Sequence, residues 1–301
     1  MPKQTPQKRM SIASGDAERL AGSRARESQP AEAAIGIPVR RPFPWPVLLG
    51  SLRMRLIPGR ERIDENVYVR LTPSGAPEVA IGYDARASVL RLTIAATADQ
   101  ASAAARAAQL FHPTHDSGAA AMLRADPLLG PRLTAIPGLR PLGGWDGFEL
   151  CVRTLIGQQV SVKAAQSLLA RVVERCGLLD PERLAAANLD RIGMPGRRVA
   201  AIQGFAAAVR DARVDLASDW SELDRALEAL PGFGPWTRGY LGIRLGRDPD
   251  AFPAGDAGLR RAAGARDAKA LEKIAEPWRP HRALAATYLW TVPSASTGEP
   301  Q

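Results

Sequence analysis

Residues Ala229 to Ala262 read "ALPGFGPWTRGYLGIRLGRDPDAFPAGDAGLRRA", two glycines around a phenylalanine, then a tryptophan, a helix-like run and one carboxylate in a tight turn. Just upstream, Leu223, Leu227 and Leu230 recur at helical spacing until Pro231 and Gly232 stop the helix. Gly234 and Pro235 turn the chain, and a second helix starts at Trp236 and runs to about Leu245. Residues 221–246 therefore read as a helix-hairpin-helix. In it Gly232 and Gly234 supply positive φ and close backbone approach, while the first amides of the second helix point outward. Such a loop grips a nucleic-acid phosphate through its backbone without reading a base. A plain helix-helix connection uses the same residues, so the hairpin alone leaves both readings open.

Composition narrows the choice. Of 301 residues, 46% are apolar, enough for one large core or several small ones. Forty Lys and Arg against 31 Asp and Glu give a formal charge of +9, which fits a polyanionic partner, nucleic acid or an acidic membrane surface. No run of about 18 apolar residues exists to span a bilayer. The start, "MPKQTPQKRMSIASGDAERL", lacks the apolar segment of a signal peptide, so a cytoplasmic, reducing compartment is expected. Cys151 and Cys176 fall in helical patterns and read as buried thiols, and His112, His115 and His281 form no ligand cluster. No metal or other cofactor is expected.

Residues 1–41 lack sustained periodicity and read as a disordered basic tail. An apolar helix in "RPFPWPVLLGSLRMRLIPG", closed by Pro58 and Gly59, opens the folded sequence. Three alternating stretches follow, with Val67, Val69 and Leu71, then Val79, Ile81 and Tyr83, then Leu90, Leu92 and Ile94 each on one face. Residues 42–100 thus form a small antiparallel sheet half covered by a helix. From residue 101 to 301 the period is helical. Asp146 and Glu149 make a capping-box pattern before Phe148, Cys151, Val152, Leu155 and Ile156. Ser161 and Asp180 are further candidate caps, with Gly177 and Pro181 as stop and start signals. The fold class is α+β.

Downstream of the hairpin, Asp256 sits in "DAFPAGDAGLRRA" at the expected start of another helix. As a helix cap it needs no further role, yet a helix N-terminus also suits a functional anion. At this point the chain resembles the helix-hairpin-helix DNA glycosylase superfamily and, within it, the alkylation-repair branch of the DNA-3-methyladenine glycosylase II type. The resemblance covers roughly residues 42–292 and rests on "IPGRERID", "GWDGFELCVRTLIGQQVSV", "IGMPGRRVAAI", "LPGFGPWTRGY" and "DAFPAGDAGLRRA" together.

The resemblance implies a TBP-like N-terminal sheet domain, a two-lobed all-α core, and Asp256 as the catalytic residue. N-glycosidic cleavage builds positive charge on the sugar, so a fixed anion near C1′ lowers the barrier and can orient water. An N3- or N7-alkylated purine is already cationic and leaves neutral, so one carboxylate suffices. Bifunctional members carry a lysine nucleophile in the hairpin where this chain has Trp236, which implies hydrolysis without strand cleavage. The four-cysteine C-terminal cluster of the iron-sulfur branch is missing too. Trp236, Tyr240 and Trp290 match the family's base pocket, although a helical Trp and Tyr at this spacing also suit a core. Gly232, Phe233, Gly234 and Thr237 match the backbone-gripping hairpin, and Gln159 matches the residue that wedges into the duplex, with a helix-terminal role as its alternative. Ala257 departs from the family's aromatic after the acid, which implies a roomier pocket.

The expected function is a monomeric, monofunctional glycosylase that flips alkylated bases out of double-stranded DNA and excises them. The same chemistry on deaminated bases, or a non-catalytic hairpin that only binds DNA, remain the alternatives. Asp256 separates the last, because pure binding has no use for an anion beside a polyanion.

Overall fold

A computed structural model of the chain describes residues 33–115 and 118–291. The expected tail lies outside the described residues up to 32, but its end does not. Ala33–Pro38 forms strand β1, paired antiparallel along its length with the strand Val89–Ile94. The folded chain thus starts inside the stretch read as 1–41. An edge strand buries only one face, and in "AAIGIP" just Ile35 and Ile37 are strong apolar signals, which is why the pattern is faint.

Helix α1 (Trp45–Arg53) follows, then β2 (Glu61–Asp64), β3 (Val67–Leu71), β4 (Pro77–Asp84) and β5 (Val89–Ile94). All neighbours are antiparallel, in the order β1-β5-β4-β3-β2. The three expected strands are present, with two more at the edges. Helix α1 stops at Arg53 rather than at Pro58, because Leu52 belongs to one core and Ile57 to another, and the chain must leave the helix to cross between them. In β3 the core face is opposite to the expected one. Tyr68, not Val67, Val69 and Leu71, stands in register with the buried Ile81, and its ring packs 6.0 Å from Phe111 and 6.1 Å from Trp145. A strand covered on both faces keeps apolar residues at both parities, so alternation alone misassigns it.

The rest of the described chain is helical: α2 (Gln100–Phe111), α3 (Gly118–Leu123), α4 (Gly130–Ala135), α5 (Gly147–Ile156), α6 (Val162–Cys176), α7 (Pro181–Ala186), α8 (Gly196–Arg210), α9 (Trp220–Glu228), α10 (Pro235–Arg244), α11 (Ala257–Ala262), α12 (Ala268–Ala275) and α13 (Arg282–Thr291). Side chains of Asp146, Ser161 and Asp180 cap α5, α6 and α7 as their positions suggest. Glu149 does not complete a capping box. Its carboxylate is buried against Arg70 of β3, tying sheet to helix, and burial pushes it up from the usual carboxylate range. No described helix is long and apolar enough to cross a membrane.

Two cores organise these elements. The first joins the inner sheet face, α1 and α2 to residues of α4, α11, α12 and α13. The second is built from α5 to α10 with Ile57. The sheet therefore has no private core, and a boundary at residue 100 is not a packing boundary. Helix α10 bridges the two, giving Leu241 to the second core and Ile243 to the first.

Candidate functional site

The hairpin between α9 and α10 is anchored from below. Leu223 and Leu227 are fully buried, and Phe233 is 2% exposed with its ring 5.1 Å from Phe205. Gly232 has φ +91, and a Cβ there would meet Leu155 Cδ2 at 3.0 Å and Ala201 Cβ at 3.3 Å. Gly234 differs from the expectation, since its φ of −67 suits any residue and a Cβ there would point into open space. Only Gly232 needs the left-handed region. Pro235 opens α10, so the amides of Trp236 and Thr237 lie in the first turn, where no intrahelical carbonyl is available.

Phe233 and Thr237, expected to touch the DNA backbone, turn their side chains inward. Thr237 is 3% exposed; its hydroxyl donates to Gly232 O at 3.2 Å and accepts from Gln158 Nε2 at 2.9 Å. Gln158 Nε2 also donates to Gly232 O at 2.8 Å. Gln158 thus braces the hairpin from the α5–α6 turn, a role hidden by its neighbour. Gln159 is exposed with φ +55 at the same turn. Gly232 and Gly234 themselves are exposed at the hairpin surface.

Asp256 is the N-cap of α11. Its Oδ1 accepts from Leu259 N at 2.9 Å and from Trp290 Nε1 at 3.1 Å, and its Oδ2 accepts from Trp236 Nε1 at 3.0 Å. Three N–H groups from three helices hold one carboxylate in a single orientation. Trp236 stacks on Tyr240, with centroids 5.5 Å apart and planes 14° off parallel, and Trp290 meets Tyr240 edge-on at 5.7 Å. The three aromatics expected to line a base pocket do converge, but two of them also position the acid. Sequence spacing could not show this, because α10, α11 and α13 are brought together only by the first core. Ala257 is exposed at the first position of α11.

Around this cluster lie two cavities. One, of about 180 Å³, is lined by Met54, Arg55, Arg153, Gln166, Trp236 and Tyr240 among others. The other, of about 350 Å³, is lined by Arg55, Arg140, Arg244 and Trp290 together with apolar side chains. Among the described residues neither is lined by a carboxylate. Burial drives the Tyr240 phenol up, but Arg244, Arg55 and Arg153 outweigh it and bring it down to about 8. Burial lowers Arg244 to about 9, against the opposing pull of Tyr240. These arginines escaped the sequence reading, yet each had a signal: Arg153 in "LCVRTLI" and Arg244 in "YLGIRLG" are charges flanked by apolar residues within helices. Cys151 and Cys176 are both buried free thiols.

Two family descriptions match the chain: the AlkA N-terminal domain over residues 34–146, beginning at β1, and the HhH-GPD superfamily base excision DNA repair protein over residues 152–279. A Mycobacterium tuberculosis protein named "Probable bifunctional transcriptional activator/DNA repair enzyme AlkA" is 32% identical over 280 residues, 86% of this chain and 56% of that protein. The chain therefore spans little more than half of that relative. DNA-3-methyladenine glycosylase 2 of Escherichia coli is 29% identical over 273 residues, 83% of this chain and 94% of that protein. A solved 3-methyladenine DNA-glycosylase from Archaeoglobus fulgidus shares the fold, with a TM-score of 0.71 at 18% identity over 85% of this chain and 97% of that one.

Proposed function

Because the chain belongs to the HhH-GPD superfamily of base excision DNA repair proteins and carries an AlkA-type N-terminal domain, we propose that it is a monofunctional DNA glycosylase that hydrolyses alkylated bases from double-stranded DNA. The observation that carries the reading is the carboxylate of Asp256, fixed by the indoles of Trp236 and Trp290 beside the Tyr240 ring.

Each part has a task in that reaction. The amides of the hairpin hold a backbone phosphate, and the +9 charge adds a sequence-independent attraction. Gln159, exposed at the α5–α6 turn, fills the gap left by an extruded nucleotide as a polar wedge. The flipped base packs against the aromatic cluster. As the C1′–N bond lengthens, Asp256 stabilises the growing positive charge of the sugar and orients the attacking water. The electron pair of the breaking bond goes to the base, which leaves neutral when it was alkylated at N3 or N7. Water, not an amine, completes the displacement, since Trp236 occupies the hairpin position of the Schiff-base lysine. The working unit is a monomer acting in the cytoplasm without a cofactor.

A panel of single-lesion duplexes tests this. Incubation followed by hot alkali should give strand breaks at 3-methyladenine and 7-methylguanine. Absence of breaks at every alkylated base, with binding retained, would leave only a DNA-binding module.

A further inference from the structure

The two cavities beside the aromatic cluster share a wall. Among the described residues, Met54 and Arg55 are common to both linings. Trp236 and Tyr240 line the smaller cavity, of about 180 Å³, and Trp290 lines the larger, of about 350 Å³. Asp256 accepts from the indoles of both tryptophans, so its carboxylate is tied to a wall of each cavity.

The two shared residues differ in freedom. Arg55 is held at both ends: its Nη1 donates to Ser51 O at 2.5 Å, and its own carbonyl accepts from Arg153 Nη1 at 2.5 Å. Met54 is held through its backbone, whose carbonyl accepts from Gln166 Nε2 at 3.2 Å, while its side chain is 57% exposed. An unbranched thioether forms no strong directional bond and changes rotamer at little cost. Beyond it the larger cavity has room to spare: Gly50 of α1 lines it, and a Cβ there would meet nothing within 4 Å.

We propose that Met54 is a movable partition between the two cavities and sets the size of base that the site accepts. The proposal rests on the glycosylase reading above and extends it to a substrate class, purines whose alkyl group is larger than methyl. The purine ring stacks on Trp236 and Tyr240 in the smaller cavity. Its alkyl group displaces the Met54 side chain and enters the larger one, where Val47, Leu48, Leu139 and Leu142 offer apolar contact. A methyl group leaves the partition in place. The pinned main chain lets the side chain swing without disturbing the wall that carries it.

Matched substrates test this on the full chain. Duplexes with a single 7-methylguanine or 7-benzylguanine share the purine ring and the cationic charge and differ chiefly in bulk. The readout is the benzyl-to-methyl ratio of single-turnover release rates, after subtraction of spontaneous loss. Met54→Ile has a similar volume but is stiff at χ1, and the backbone at this position (φ −77, ψ −3) accepts any residue; it should lower the ratio roughly tenfold. Gly50→Leu fills the larger cavity and should lower the ratio as well. Met54→Ala removes the partition and should hold or raise it. A ratio equal to wild type in both Met54→Ile and Gly50→Leu, or a fall in Met54→Ala, overturns the proposal. Failure of the wild type to release either base overturns the glycosylase reading instead. The partition is then decided by quenching of tryptophan fluorescence with free 7-methylguanine and 7-benzylguanine: Met54→Ile should weaken only the benzyl compound, and an equal effect on both overturns the proposal.

Discussion

Replacing Trp290 by Phe keeps a ring against Tyr240 but removes one of the three N–H groups that hold Asp256. The lost bond is the 3.1 Å contact from Nε1 to Oδ1; Leu259 N at 2.9 Å and Trp236 Nε1 at 3.0 Å remain. A hydrogen bond to a charged group contributes about 1.5–3 kcal/mol, so a carboxylate freed to swing should slow excision roughly ten- to hundredfold. Binding to undamaged duplex should change little, because Trp290 belongs to α13 and not to the hairpin backbone. The assay is single-turnover base release at saturating enzyme, with binding measured separately by fluorescence anisotropy. A double-mutant cycle sharpens it: in an Asp256→Asn background, Trp290→Phe should have almost no further effect. If Trp290→Phe slows release equally in both backgrounds, or weakens all DNA binding instead, the tryptophan is not acting through Asp256.

The hairpin glycines should behave oppositely. Gly232→Ala meets Leu155 and Ala201 at positive φ and should lower stability by about 1–3 kcal/mol, read as a fall in Tm, whereas Gly234→Ala should leave Tm unchanged and weaken binding to every duplex if a phosphate approaches there. Gln158→Ala removes both bonds that brace the hairpin and should weaken damaged and undamaged DNA binding by a similar factor, with stability down by about 1–2 kcal/mol in urea melts. Borohydride added during turnover should trap no protein-DNA adduct, and product strands should stay uncut until alkali is added; a trapped adduct would contradict the water-based displacement.

What could be read from the sequence were features whose causes are local. Asp146, Ser161 and Asp180 announce helix starts because a cap bonds an amide two or three residues on. Leu223, Leu227 and Gly232 announce the hairpin because periodicity and a left-handed turn are written within one short segment. Asp256 was legible as a cap and stood out through its distance from the hairpin. What escaped depends on tertiary neighbours. Strand β1 exists because β5 offers it an edge, Tyr68 faces the core because Phe111 and Trp145 wait there, and Thr237 turns inward because Gln158 meets it. The arginine cluster draws on the segment after α1, on α5 and on α10, and no spacing rule links those elements.

The central claim is that Asp256 performs chemistry rather than merely capping α11. The most direct measurement pairs base release with binding for Asp256→Asn. Asparagine retains one oxygen, which accepts the capping bond from Leu259 N, so the fold should survive with little change in Tm. Release of 3-methyladenine should fall to background, while affinity for an abasic-analogue duplex stays the same or rises, because a negative charge near phosphates has been removed. Retention of more than a few per cent of wild-type release, in a folded protein, would contradict the account.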